Sequence, residues 1–539
     1  MITKNIIRSL MPNNKIFYNK KSANDTDDDD YDTLPISDDE SDSDNIGEIM
    51  PIPEETIYPG LVLKNDYILL KKIGHGNNAG VWMTYQISIQ NFLAIKIQDH
   101  ECYHDGCREV AIIKKLNNYC KNNQNKNIYC VKMLDYFVYQ EDEEETETKF
   151  VCSVYDLYAG SIQMVLNHGI YKYGLPIPIV KKITRQLLTA LNTLHSELKI
   201  IHTDLKPENI LFKGTPEDHI NIIKLFDAPN FQKKYGKILA EYGKDKTRFS
   251  EELESLALDS VKEICKLDTT VNGGDEEFIP DDDDVSDDDI IEGDDDDENY
   301  DSEEENNNDN EDYNERFNER KQSIDDVIEI LDYSELHNLD EEGDYDHESV
   351  LNKRANGTSS DDREIIDNKF IINCETALTD FGNSYFYEKR TKNEIQDRRY
   401  RAPEVILDFN YGYACDIWSI ACVVFELLTG FVLFEPLETP LNRDIHHLFL
   451  MEKFLGPIPT PIKKASKRSV FLFDKSRGYH IKNITEFKKS PLKERLVKNF
   501  LFNEKEANEI YDFLMCGLKY NPAERYTAKE MLAHPWLNN

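Results

Sequence analysis

The chain has 539 residues, a formal net charge of -40 and an isoelectric point near 4.7. That balance excludes direct nucleic-acid binding as the expected activity and favours basic polypeptides as partners. Its ten cysteines show neither a Cys-x-x-Cys pair nor a His/Cys cluster at zinc spacing, which predicts free thiols in a reducing intracellular compartment, cytoplasm or nucleus or both.

Residues 1–57 read as a disordered acidic arm, with runs at Asp27–Asp30 and Asp38-Asp39-Glu40-Ser41-Asp42 and little to bury. The mildly basic start, Met1 to Lys21, lacks the apolar stretch of a secretory signal, and no uninterrupted apolar run is long enough for a membrane span. From Tyr58 the pattern becomes globular. Tyr67 to Ile73 predicts a strand leading into Gly74-His75-Gly76-Asn77-Asn78-Ala79-Gly80-Val81, which has the Gly-x-Gly-x-x-Gly-x-Val form with Ala79 at the third glycine. Such a loop lets backbone N–H groups approach phosphate oxygens, although a plain hairpin turn would read the same way. Phe92-Leu93-Ala94-Ile95-Lys96-Ile97 alternates as a strand and has the Val-Ala-Ile-Lys form. Glu109 lies on the helix that follows, with Ile113 one turn later on its apolar face; Glu101 is the alternative, closer to the strand. A further strand covers Val131–Tyr139, and Phe150–Tyr155 predicts the last strand before a hinge at Asp156 to Tyr158.

Val180, Ile183, Leu187, Leu191 and Leu194 have helical spacing and predict a core helix. It delivers the chain to His202-Thr203-Asp204-Leu205-Lys206-Pro207-Glu208-Asn209, a His-x-Asp with Asn five residues after the Asp. Residues 214–369 read as an acidic low-complexity spacer: from Asp275 to Asp312, 23 of 38 residues are Asp or Glu and none is Lys or Arg. Like-charge repulsion and the scarcity of apolar surface predict an unfolded tract there. Short amphipathic pieces at Phe249–Leu267 and Ile324–Leu331 are candidates to fold or to dock on the large lobe. The globular pattern resumes at Phe370, with Asp380-Phe381-Gly382, Ala402-Pro403-Glu404, an apolar helix opened by Asp416-Ile417-Trp418-Ser419, and Arg525 as the expected partner of Glu404.

These motifs, in this order, resemble those of eukaryotic-type protein kinases. The resemblance implies an α+β bilobal protein-kinase fold over 58–213 and 370–539, with a small β-rich N-lobe and a larger helical C-lobe. It implies ATP and Mg²⁺ as cofactors and a Ser/Thr protein as substrate. Asp204 is then the catalytic base, and Lys206 neutralises charge on the transferring phosphoryl group. Asn209 and Asp380 hold metal, and Glu109 pairs with the phosphate-binding Lys96. The nucleotide pocket is expected from Ile73, Gly74, His75, Gly76, Asn77, Asn78, Ala79, Gly80, Val81, Ala94, Lys96, Glu109, Asp156, Tyr158 and Asn209, with Tyr155 as gatekeeper. Asp416 is expected to brace the catalytic loop.

Within the kinases the chain resembles the SR-protein kinases. His202-Thr203-Asp204 has Thr where most kinases carry Arg, the acidic spacer interrupts the domain just after the catalytic loop, and Asn383 follows Asp380-Phe381-Gly382. Phe434-Glu435-Pro436 and His534-Pro535-Trp536-Leu537-Asn538 also match. His447-Leu448-Phe449-Leu450-Met451-Glu452-Lys453 and Arg401-Ala402-Pro403-Glu404 are nearer to CDC-like kinases. The branch implies Arg/Ser-rich or otherwise basic protein substrates. The region matching its acidic docking groove departs from it, because Lys475 to Lys498 is rich in Lys and Arg and Glu494 is the one acid that matches. Thr203 cannot receive an activation-loop phosphate as Arg would, so constitutive activity is expected. A CDC-like dual-specificity kinase, and a pseudokinase scaffold whose acidic segments bind basic partners, are the alternatives.

Overall fold

In the computed structural model the described residues are 57–76, 78–123, 126–143, 146–167, 171–269, 371, 374–389, 394–437, 442–484 and 489–538. The expected acidic arm, the Asp275–Asp312 tract and the Ile324–Leu331 piece lie outside them, as does Asn77. Among the described residues no helix is long and apolar enough to cross a membrane.

Six strands make one antiparallel sheet: β1 (Val62–Leu63), β2 (Tyr67–Gly76), β3 (Ala79–Gln86), β4 (Asn91–Gln98), β5 (Met133–Glu143) and β6 (Thr146–Tyr155), in the order β1-β2-β3-β4-β6-β5. Alternation along β4 divides its side chains between two faces. Leu93, Ile95 and Ile97 enter a core with Leu69, Trp82, Cys152 and Val154, which leaves Ala94 and Lys96 on the opposite face. Helix α1 (Tyr103–Asn122) buries Gly106, Glu109, Val110, Ile112, Ile113 and Leu116. A Cβ on Gly106 would stand 3.0 Å from the Cβ of Val151, so glycine allows this helix to lie close to the sheet.

The larger, helical part is built around two core helices, α2 (Ile177–Asn192) and, far along the chain, Ala414–Thr429. Short strands β7 (Tyr158–Ser161), β9 (Ile210–Lys213) and β10 (Thr376–Leu378) form one sheet, and β8 (Ile200–Ile201) pairs with β11 (Tyr385–Phe386). Together they set the chain before and after the catalytic loop beside the chain around Asp380. In the 414–429 helix every residue from Cys415 to Thr429 is buried, as expected of a helix that is apolar on all sides. Gly430 ends it at φ 80°, where a Cβ would fall 2.1 Å from the carbonyl oxygen of Lys172.

The structure departs from the sequence reading just after β9. A spacer was expected from residue 214, yet three helices follow: α3 (Glu217–Phe226), α4 (Ala228–Tyr242) and α5 (Lys246–Thr269). They pack on the small-lobe sheet: the amphipathic piece Phe249–Leu267, a candidate to fold or to dock on the large lobe, folds here as part of α5 against that sheet. Ile222, Phe226, Phe231, Leu253, Ala257 and Val261 share a core with Ile68, Leu70, Met83 and Tyr85. The Tyr85 ring stands 4.7 Å from Phe226 and 5.8 Å from Phe231, and its hydroxyl accepts a hydrogen bond from Gln232 at 2.9 Å. Tyr85 pairs with Phe92, and Val81 with Lys96 four residue pairs along, on the same face. The helices therefore cover one end of the sheet face whose other end carries Lys96. Segment-averaged composition, dominated by the tract beginning at Asp275, conceals these amphipathic helices.

Further along the chain, helix α6 spans Ala414–Thr429 and α7 spans Arg443–Leu455.

Candidate active site

The strand alternation that directs Lys96 away from the apolar core aims it at α1. Its Nζ lies 2.9 Å from Glu109 Oε2 and 2.8 Å from Asp380 Oδ1, so two carboxylates from distant segments converge on one cation. Burial alone would lower the ammonium pKa; Glu109, followed by Asp380, outweighs it and the net shift is upward. Asp380 moves the other way: burial would raise it, and Lys96 holds it below the ordinary carboxylate value. Lys96 is therefore fixed as a cation and Asp380 as an anion. The Glu109 carboxylate also accepts the N–H of Phe381 at 3.3 Å, and Arg108 donates to the carbonyl of Gly382 at 2.7 Å, locking α1 to the Asp-Phe-Gly turn. Glu101, the rival, is exposed in a short turn ahead of α1 and pairs with His100 at 4.0 Å.

The glycine-rich segment is the hairpin between β2 and β3, with Gly74 opposite Val81, His75 opposite Gly80 and Gly76 opposite Ala79. Asn78 lies in its turn. A Cβ on Gly76 would meet nothing within 4 Å, so this edge is open to a ligand. Ile73 is half-buried on β2, and Val81 lies beside Lys96 on the next strand. Ala94 is buried and registers with half-buried Tyr155; exposed Asp156 and half-buried Leu157 join β6 to β7, which Tyr158 begins.

The catalytic loop is braced from below. Asp416, fully buried on α6, accepts the N–H of His202 at 2.8 Å and of Thr203 at 2.9 Å, and its Oδ2 also meets His195 Nε2 at 2.8 Å. Burial would raise its pKa, but the hydrogen bond and charge of His195 keep it low. This brace holds Thr203 at φ 65°, which is unusual for a β-branched residue. Asn209 donates from Nδ2 to the main-chain oxygen of Asp204 at 2.8 Å and to its Oδ2 at 3.1 Å. Lys206 Nζ sits 3.6 Å from Asp204 Oδ1 and 3.8 Å from Asp397 Oδ2. The Asp204 carboxyl is pushed up, by burial first and by Asp380 and Asp397 as well, against the pull of Lys206.

The expected Glu404–Arg525 pair is present, bidentate at 2.7 and 2.6 Å and almost fully buried. The structure brings Lys96, Glu109 and Asp380 into one cluster and Asp204, Lys206 and Asn209 into another. Three participants escaped the sequence reading. His195 supports Asp416, and Asp397 shares Lys206. Gln396 donates to Ser419 Oγ at 2.7 Å and accepts the N–H of Ala402 at 3.0 Å. Each acts through a partner remote in sequence or a local turn that no motif marks.

A family described as "Protein kinase domain" matches residues 67–232 and 366–537. The chain is 52% identical over 544 residues to a protein of Acanthamoeba polyphaga mimivirus assigned as serine/threonine-protein kinase L205, covering 99% of this chain and 98% of that protein. It is 27% identical over 479 residues to protein kinase dsk1 of Schizosaccharomyces pombe, covering 87% and 80% respectively. To human SRSF protein kinase 3 it is 25% identical over 522 residues, covering 89% and 87%.

Proposed function

The chain belongs to the protein kinase family, in its SR-protein kinase branch, and from that premise we propose that it moves the γ-phosphoryl group of ATP to Ser and Thr hydroxyls in Arg/Ser-rich proteins without prior phosphorylation of its own activation segment. The observation that carries the transfer reading is the fixed Lys96, gripped by Glu109 and Asp380 opposite an Asp204 that Asn209 holds in place. A scaffold with no turnover has no need of such an arrangement.

Asp204 accepts the substrate hydroxyl proton, and its raised affinity for protons suits a base. Lys96 and Lys206 offer cationic charge to the phosphates. Bound Mg²⁺ supplies neutralisation of phosphate charge. Asp380 and Asn209 would hold it, and two hard oxygen donors that leave room for phosphate and water fit that ion. The open edge at Gly76 and the hinge backbone from Asp156 to Tyr158 would take the phosphates and adenine.

Preference for arginine around the acceptor hydroxyl rests on surplus negative charge beside Lys206. Glu208 follows it by two residues and has a buried Oε2 with no hydrogen-bond partner among the described residues. Burial raises its pKa, and nearby Asp397 adds to the effect. A substrate guanidinium beside this carboxylate would balance its charge and that of Asp397. Phosphate transfer from labelled ATP tests the reading, comparing wild type with Asp204→Ala on an Arg-Ser repeat peptide and on a generic basic protein. Transfer to the Arg-Ser peptide that disappears in the variant is expected. Transfer to the generic protein alone would remove the Arg/Ser preference, and transfer to neither would remove the enzyme. Phosphatase treatment should leave the activity intact.

A further inference from the structure

Between α7 and the end of the domain lies a small platform of unusual charge. Residues 460–482 carry seven Lys or Arg and a single acid, Asp474, in a chain of net charge -40. The platform comprises two short helices, Thr460–Ala465 and Ser469–Leu472, and the hairpin β12 (Phe473–Asp474) with β13 (His480–Ile481). It is firmly seated. Lys463 pairs with Glu452 at 2.7 Å and donates to the carbonyl of Tyr479 at 3.0 Å; Ser466 donates to the carbonyl of Leu407 at 2.9 Å; Arg468 binds Asp444 at 2.5 Å.

Those contacts use two of the seven cations. Lys464, Lys467, Lys475 and Arg477 are exposed and Lys482 is half-exposed. Among the described residues only Lys467 of these five meets a carboxylate, Asp408 at 3.3 Å. The one acid is turned into the hairpin, where its Oδ1 accepts the N–H and hydroxyl of Ser476 at 2.8 and 2.6 Å and the N–H of Arg477 at 3.4 Å, so it can offset at most one of the cations. Beside the cations stand Val470 and Phe471, 77% and 71% exposed, the two most exposed large apolar side chains among the described residues. A net excess of positive charge around an uncovered apolar pair fits one kind of surface, an extended acidic segment that carries an apolar side chain.

We propose that residues 460–482 dock an acidic, apolar-bearing segment of a protein that this kinase phosphorylates. The docking platform and the cleft then read opposite charges: the cleft offers carboxylates to basic residues around the acceptor, and the platform offers cations to an acidic segment elsewhere in the same substrate. That the docked protein is a substrate rests on the kinase activity proposed for this chain; the binding itself does not.

The test is fluorescence anisotropy with the full chain and two labelled peptides of equal length, one of Asp and Glu around a central Leu-Phe, the other an Arg-Ser repeat. The acidic peptide should bind at low salt and weaken severalfold at physiological salt. The double variant Lys475→Glu, Arg477→Glu should weaken it by about tenfold or more, and Phe471→Ser by severalfold. All these side chains are exposed, so thermal stability and transfer to a peptide without an acidic segment should be unchanged. No binding of the acidic peptide at low salt, or equal binding by wild type and the charge-reversed variant, would overturn the proposal. Appending the acidic peptide to a substrate should lower KM and leave kcat alone. Binding without any turnover would sink the kinase reading and leave the docking surface standing.

Discussion

The hydroxyl of Thr203 donates to the main-chain carbonyl of Asn383 at 2.5 Å, tying the catalytic loop directly to the segment after Asp-Phe-Gly. Ser384 adds a second tie, its hydroxyl donating to the carbonyl of His202 at 3.0 Å. In kinases that carry Arg at this position, a phosphate can bridge the same two regions. Here the chain's own hydroxyls and carbonyls do so. Thr203→Val keeps the branched shape of this buried residue and removes the donor, breaking its part-buried bond to the carbonyl of Asn383. The expected outcome is a loss of about 1–2 kcal/mol of stability and a severalfold lower kcat. Denaturant unfolding and steady-state kinetics check it. A variant as stable and active as wild type would show that the tie is incidental.

The three helices after the catalytic loop belong to the fold of the small lobe. Phe231 is 2% exposed within the core that also holds Tyr85 and Phe226. Phe231→Ala should cost about 3 kcal/mol or more through the cavity it leaves. Deleting residues 270–370 should leave thermal stability close to that of the full chain. Deleting 217–370 uncovers Met83 and Tyr85 and should give a protein that unfolds at markedly lower temperature or aggregates. Equal stability of the two deletions would show that the helices contribute nothing to the lobe.

Most of the active site was legible because its chemistry fixes residue type at short spacing. Asp204, Lys206 and Asn209 fall within one loop, and Asp380-Phe381-Gly382 is contiguous. Lys96 was marked by strand alternation, and Glu109 by the apolar period of the helix that carries it. What was missed depends on tertiary contact. His195 sits in a helical stretch whose apolar pattern gives no sign of Asp416, 221 residues away. The helices of 217–269 were hidden differently: their charged residues and the acidic tract beyond them pull the average down, while the apolar side that matters is covered only by a sheet far back in the chain.

Asp397 competes with the phosphates for Lys206 and adds negative charge near Asp204. Asp397→Asn should therefore lower the pKa of Asp204 and move the acidic limb of the kcat/KM profile to lower pH, while freeing Lys206. A pH profile measured with saturating Mg²⁺ separates this from a general loss of activity, which would lower the whole curve without moving its limb. An unmoved limb would mean that Asp397 is electrostatically silent at the base.

Glu426 lies buried on α6, where its Oε2 accepts the hydroxyl of Tyr400 at 2.7 Å. Burial raises its pKa from 4.5 to about 7. The folded chain then holds a proton that the unfolded chain has already lost, so this group's contribution is fully present below pH 4.5 and is lost as pH rises through about 7. Glu426→Gln keeps an acceptor for Tyr400 and removes the buried charge. The variant should gain up to about 2–3 kcal/mol over wild type at alkaline pH and little in acid. Chemical denaturation across that window is the measurement, and a constant difference between the two proteins would contradict the assignment.

His447 supplies the opposite slope. It is fully buried on α7 beside Phe434, at 5.6 Å between ring centroids, and neither ring nitrogen has a hydrogen-bond partner among the described residues. Burial, with Arg398 and Arg401 nearby, lowers its pKa from 6.5 to about 3. The unfolded chain therefore binds a proton that the folded chain refuses. The stability this neutral ring permits is present above pH 6.5 and is lost as pH falls toward 3. His447→Phe fills similar space without a titratable nitrogen, so its stability should fall less between pH 6.5 and 3 than that of wild type, by up to about 4 kcal/mol across the window. Between pH 4.5 and 6.5 the Glu426 and His447 slopes oppose one another. Wild type should therefore vary least there, the single variants should tilt in opposite directions, and the double variant should flatten the profile on both sides. Parallel acid-unfolding curves for His447→Phe and wild type would show that another group governs the acid limb.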